Sequence, residues 1–218
     1  PFYYYDTVLL RATLDVIAQE VAQYPNYHMH YALKANVNPR LLEIIQQAGF
    51  GADCVSGGEV QRAIDAGFPA DKIVYAGVGK SDREILTALQ HDIFCFNVES
   101  IPELEFINEL AAREGKIARV CLRINPDVEA HTHTHIITGM AENKFGIALH
   151  DMLQVVQLAQ QLPNISFLGL HFHIGSQSTN MQDFVALCQR NNESQHLLHK
   201  HAIYPSVINV GGGLGIDH

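Results

Sequence analysis

Short runs of β-branched and aromatic residues alternate along this chain with longer segments of helical period, the pattern of βα units whose strands lie side by side in a parallel sheet. The first unit is the plainest. Residues 28–33 read as a strand, Asn38-Pro39 as an N-cap followed by proline at the first helical position, Leu41, Leu42, Ile44, Ile45 and Ala48 as one apolar stripe, and Gly49 as the stop. Further strands are expected at 51–55, 72–76, 93–98, 118–125, 166–174 and 206–210. Helices are expected to run to residue 66, to 89, to just before Gly115, over 151–162, and within 181–200. Ser56/Glu59, Ser81/Glu84 and Ser100/Glu103 have the Ser-x-x-Glu spacing of a capping box and mark three helix starts. Seven strands, each but the last followed by a helix, predict an α/β fold of the (β/α)8 TIM-barrel type that lacks its last βα unit. An open doubly wound sheet is the alternative, but its glycine-rich fingerprint follows an early strand, whereas the glycine cluster here follows the seventh. No fixed-period repeat, low-complexity stretch or Pro/Ser-rich linker divides the chain, so residues 1–218 read as one domain.

Composition narrows the partners. With 218 residues, 47% of them hydrophobic, the chain can build one core without disulfide staples. A formal charge of -9 with no Lys/Arg cluster argues against nucleic acid or an anionic membrane as the main partner. No apolar run approaches the roughly 20 residues that span a bilayer, and no signal peptide precedes Phe2-Tyr3-Tyr4-Tyr5, so a cytoplasmic protein is expected. Cys54, Cys95, Cys121 and Cys188 stand far apart with no CxxC pair and read as reduced core thiols.

In a (β/α)8 barrel the chemistry sits where the strands end. Tyr31-Ala32-Leu33-Lys34-Ala35-Asn36 puts a lysine at the end of the first strand; an amine among apolar neighbours forms Schiff bases with aldehydes, though the same lysine also suits a plain surface cap. His171-Phe172-His173-Ile174-Gly175-Ser176-Gln177 closes the sixth strand, and alternation points His171 and His173 to one side. The pair suits a metal, but no third ligand stands nearby. Alternatively one imidazole stacks on a flat cofactor while Ser176 binds a phosphate, or the two histidines are a satisfied polar pair in a loop. Asn209-Val210-Gly211-Gly212-Gly213-Leu214-Gly215 follows the seventh strand, where barrels bring backbone N–H groups to a phosphate. It lacks the GxxxxGK[ST] spacing of a nucleotide P-loop. His131-Thr132-His133-Thr134-His135 looks like a metal box but has no carboxylate or thiolate at helical spacing, and His196 and His199 read as a solvated helix face.

Taken in order, Pro1 to Asp6, Tyr31 to Asn36, Ala52-Asp53-Cys54-Val55-Ser56-Gly57-Gly58-Glu59, Arg123-Ile124-Asn125-Pro126, Glu142-Asn143-Lys144-Phe145-Gly146, His171 to Gln177 and Asn209 to Gly215 resemble the fold-type III pyridoxal-phosphate decarboxylases along nearly the whole chain. The resemblance implies pyridoxal 5'-phosphate as cofactor, held by Lys34 as a Schiff base, with His173 stacked on the pyridine face and Ser176, Gly211, Gly212 and Gly213 on the phosphate. Asp53, Glu59 and Arg123 match positions that line the cofactor cleft, and for Glu59 a capping role is an equally good reading. It implies an amino-acid substrate that loses its α-carboxylate as CO2, with meso-diaminopimelate, giving L-lysine in the last step of lysine biosynthesis, favoured over ornithine, arginine or carboxynorspermidine. The family continues past its glycine loop to an eighth unit, whose glutamate pairs with the pyridine nitrogen, and then to a β-rich second domain that helps complete the active site of a homodimer. By that resemblance residues 1–218 form an incomplete barrel domain with little activity alone. A non-enzymatic pyridoxal-phosphate carrier and a metal-dependent barrel hydrolase using His171 and His173 are the readings of other classes.

Overall fold

A computed structural model describes residues 2–126 and 145–215. They fall into two compact units, one running to Ala76 and including Lys80–Phe94, the other made of Gly77–Gly79 and the chain from Cys95 on.

In the first unit, α1 (Thr7–Ala22) precedes β1 (His30–Ala32), α2 (Pro39–Gln47), β2 (Gly51–Cys54), α3 (Gly57–Asp65), β3 (Ile73–Tyr75) and α4 (Asp82–Gln90). β1 pairs with β2 and β2 with β3, both parallel, with His30 opposite Gly51 and Ala52 opposite Ile73. α2 forms as its sequence dictates. Asn38 Oδ1 accepts the Arg40 N–H at 3.0 Å, Pro39 opens the helix, and Gly49 leaves it at φ +88°. The stripe Leu41, Leu42, Ile44 and Ile45 is buried, each side chain contributing about 1.5–3 kcal/mol.

Helix α1 lies outside the sequence-based expectation, which starts the fold at residue 28. Its start signal is local: Asp6 Oδ1 accepts the N–H groups of Val8 at 2.9 Å and Leu9 at 3.0 Å. Its periodicity is weak because Leu14 is its single fully buried residue, while Val8, Leu9 and Val16 face outward.

The second unit holds β4 (Cys95–Val98), α5 (Ile101–Arg113), β5 (Ala118–Arg123), α6 (Met152–Gln161), β6 (Ile165–His171), α7 (Met181–Lys200) and β7 (Val207–Asn209). β4, β5, β6 and β7 pair in that order, all parallel. The core is apolar: Phe96, Val98, Val120, Leu122 and Leu170 from the strands meet Leu104, Ile107, Leu110, Val155 and Val156 from the helices at near-zero exposure. At Gly169 a side chain would overlap the Val207 carbonyl, so glycine is what lets β6 and β7 come together. Within each unit every strand's neighbour is the next in sequence, the order of a barrel wall; a doubly wound sheet reverses its order at a switch point.

Several strands are shorter than their apolar runs. β6 ends at His171, yet Phe172 and Ile174 beyond it are buried, so burial continues where pairing has stopped. Of the three capping boxes, only Ser81/Glu84 closes on its own N-cap. Glu59 accepts from the Val55 N–H and Glu103 from the Glu99 N–H, both at 2.8 Å and both one residue before the serine. Cys54, Cys95 and Cys121 are buried free thiols, and burial, with the charges of Asp53 and Glu59 adding to it, pushes the Cys54 thiol up. Cys188 is not a core thiol. α7 buries Asp183, Leu187, Ser194 and Leu198 along one stripe, and Cys188 lies a step to its side, exposed.

Candidate functional site

In the first unit, Lys34 sits in a single 3₁₀ turn, Leu33–Ala35, just after β1. Leu33 is fully buried and pins the turn, and Lys34 points away from that anchor, exposed. The Tyr31 hydroxyl donates to the Asn36 carbonyl at 3.2 Å, Asn36 Nδ2 donates to the Tyr5 hydroxyl at 3.0 Å, and Asn36 Oδ1 accepts the Asn38 N–H at 2.9 Å. Burial raises the Tyr31 pKa, which keeps that hydroxyl protonated as a donor. Asp53 is half-buried on β2 opposite Ala32, so Lys34 follows two residues beyond its level. Glu59 directs Oε2 to the Val55 N–H, one residue before the Ser56 N-cap.

A residue absent from the sequence-based list organises the mouth of this unit. Glu84 Oε2 accepts the Ser81 N–H at 3.0 Å and the Ser81 hydroxyl at 2.7 Å, while Oε1 accepts the Gly57 N–H at 2.8 Å. These bonds, the Ser81 ones first, hold its carboxyl below the ordinary range. The carboxylate thus ties the start of α3 to the start of α4.

In the second unit, Arg123 ends β5, and its Nη1 donates to Glu99 Oε2 at 2.8 Å, with side chains 12% and 3% exposed. Glu99 Oε1 also accepts the Gly77 N–H at 3.1 Å, and the guanidinium lies 5.7 Å from the Phe145 ring centroid. Glu99 is likewise missing from the sequence-based list; the available signal was a carboxylate one residue past β4. His171 is buried at the last position of β6, whereas His173 is half-buried two residues past the strand, so strand alternation does not relate them.

The loops after β6 and β7 are joined main chain to main chain. Phe172 N–H donates to the Asn209 carbonyl at 2.8 Å, Ser178 N–H to Gly213 at 2.9 Å, and Gly215 N–H to Ser178 at 2.8 Å. The three glycines do different things. Gly211 (φ +72°) gives its N–H to Asn209 Oδ1 at 2.8 Å, and a Cβ there would come within 2.5 Å of the Phe172 carbonyl and 2.9 Å of His173 Nδ1. At Gly213 (φ +97°) a Cβ would overlap the Gly175 carbonyl. Around Gly212 there is open space, with no heavy atom within 4 Å of a Cβ built there. Gly212 is therefore the one of the three with open space beside it, and Ser176, on the facing loop, is exposed while His173 is half-buried. Among the described residues no group of three or more His, Cys, Asp or Glu could hold a metal, and no helix is long and apolar enough to cross a membrane. His131, His133, His135 and the stretch Glu142-Asn143-Lys144 lie outside the described residues.

Within each unit the strands are parallel and follow one another in sequence, the pattern of a barrel-type α/β domain; in the first a lysine follows the opening strand, and in the second a glycine loop follows the last. The chain belongs to the pyridoxal-dependent decarboxylases: residues 12–218 match the family's pyridoxal-binding domain, which takes pyridoxal phosphate as its cofactor. It is 63% identical over 218 residues to the diaminopimelate decarboxylase of Bacteroides thetaiotaomicron, covering 100% of this chain and 56% of that protein. Among solved structures it is similar to Helicobacter pylori diaminopimelate decarboxylase complexed with L-lysine, at 37% identity and TM-score 0.85, covering 94% of this chain and 52% of that one. The lysine/ornithine decarboxylase of Vibrio vulnificus complexed with putrescine stands further off, at 25% identity and TM-score 0.75, with 94% and 52% covered. The fold is accordingly of the incomplete (β/α)8 type, with seven parallel strands among the described residues, and the chain spans about half the length of the relatives it matches.

Proposed function

We propose that this chain is the cofactor-holding part of an enzyme that decarboxylates meso-diaminopimelate to L-lysine. The observation that carries the reading is the contrast in likeness, greater toward the diaminopimelate enzymes than toward the lysine/ornithine enzyme. When bound, pyridoxal phosphate supplies an electron sink for the charge left behind as the substrate's carboxylate departs as CO2.

The chain's own residues do the holding. The Lys34 amine, set on a turn fixed by Tyr31, Asn36 and Tyr5, would hold the cofactor's aldehyde and would carry a proton on its own nitrogen. His173 would stack against the pyridine, and Ser176 with Gly212 and Gly213 would hold the phosphate, Gly212 being the glycine with open space beside it. Gly211 supports them by packing, its N–H being committed to Asn209. Asp53 and Arg123 line the cleft. Residues 1–218 serve as the barrel domain, the substrate-binding part lies in a further β-rich domain, and the whole enzyme works as a cytoplasmic homodimer.

Trapping tests the reading. The chain is incubated with pyridoxal phosphate, reduced with borohydride and mapped by peptide mass. Modification at Lys34, lost in Lys34→Ala with the fold intact, is the expected result. Labelling spread over surface lysines, or equal in the variant, would overturn it.

A further inference from the structure

We propose that Glu99 is a positioning residue that sets the Arg123 guanidinium for the cofactor cleft; this rests on the reading of Arg123 as a cleft residue. A carboxylate with a side chain only 3% exposed is costly unless its charge is met. Glu99 is met twice, by Arg123 Nη1 at 2.8 Å through Oε2 and by the Gly77 N–H at 3.1 Å through Oε1. One side chain thereby spans the segments that follow β3 and β4 and the end of β5. All three lie where strands of such a fold finish, the end at which a buried charge serves chemistry more often than stability.

The bond pattern fixes direction as well as charge. Arginine's planar fork has five donors, and a carboxylate that captures Nη1 limits how the rest of the fork can turn. The Phe145 ring, 5.7 Å from the guanidinium carbon, adds a flat wall beside it. Glu99 itself is steadied from its own backbone, since its N–H donates to Glu103 Oε2 at 2.8 Å in the first turn of α5. Reaching past Ser100, Glu103 thereby fixes the backbone of the residue that pairs with Arg123.

The test is a double-mutant cycle in the full chain with Glu99→Gln, Arg123→Met and the double variant. Two cofactor readouts are used, pyridoxal phosphate affinity by the visible absorbance of the lysine adduct and borohydride labelling of Lys34. A third is independent of the cofactor: the rate at which phenylglyoxal modifies Arg123, followed by peptide mass. Glu99→Gln should weaken pyridoxal phosphate binding about ten-fold, within the range of residues coupled in one ion-pair network. The double variant should be no weaker than Arg123→Met alone, and Arg123 should react faster with phenylglyoxal once Glu99 is changed. Additive losses, or unchanged affinity in Glu99→Gln, would overturn the proposal. If the single variant folds poorly by circular dichroism, the neutral double variant against Arg123→Met still decides, since any further loss counts against Glu99 acting through Arg123. Failure of the unmodified chain to be labelled at Lys34 sinks the cofactor reading instead, and the phenylglyoxal comparison still judges the pairing.

Discussion

Replacing Glu84 by alanine removes a carboxylate that accepts three bonds at 2.7–3.0 Å, and the structure sets the size of the loss. The Gly57 N–H is buried at the first position of α3, so losing its charged acceptor costs about 1–3 kcal/mol. Ser81 is exposed and can turn to water, which limits the loss at that end to about 0.5–1 kcal/mol, the low range for an N-cap. Alanine's better helix propensity returns a few tenths. The expected destabilisation is about 1–4 kcal/mol, read as a lower urea midpoint at unchanged slope. Glu84→Gln keeps one acceptor oxygen and should lose about half as much, roughly 0.5–2 kcal/mol. Acid supplies an internal control. The folded-state pKa of Glu84 lies below its ordinary value of 4.5, so its contribution is complete above that value and disappears as pH falls through the lower folded-state value. The gap between the parent chain and Glu84→Gln should therefore be constant from neutral pH down to about 5 and close in stronger acid. A loss under about 0.5 kcal/mol in Glu84→Ala, or a gap that persists in acid, would refute the view that this carboxylate joins the two helix starts.

Two further outcomes separate support from ligand contact. Gly213→Ala forces a side chain into the Gly175 carbonyl at φ +97° and should lower the thermal midpoint, whereas Gly212→Val enters open space, should leave the midpoint unchanged and should weaken pyridoxal phosphate binding; equal midpoints would contradict the division. His30, whose pKa burial lowers, should contribute stability above about pH 6.5 that is lost as pH falls toward its folded-state value, and His30→Gln should flatten that part of the stability profile; an unchanged profile would count against it.

What the sequence disclosed was what depends on near neighbours. Asn38-Pro39 and Gly49 bracket α2 within a dozen residues, and the structure agrees with them closely. α1 escaped because a helix burying only Leu14 leaves no apolar stripe to read. The capping box of Ser81 and Glu84 was legible, but the bond from Gly57 to Glu84 and the Glu99–Arg123 pair were not, because those partners lie 27 and 24 residues apart in sequence. The three consecutive glycines were legible as a cluster but not one by one, since their roles follow from φ and from which carbonyl stands opposite.

The joined loops after β6 and β7 have a consequence for how such a domain can change over time. Their shape is carried by peptide groups, from Phe172–Asn209 through Ser178–Gly213 to Gly215–Ser178, and main-chain groups are the same whatever the side chain. An exposed position such as Ser176 can thus be exchanged while the frame stands, and Gly211 and Gly213 cannot. A cradle built in this way separates the grammar of the loop from its vocabulary: selection can rewrite what the loops say to a ligand without relearning how to fold them.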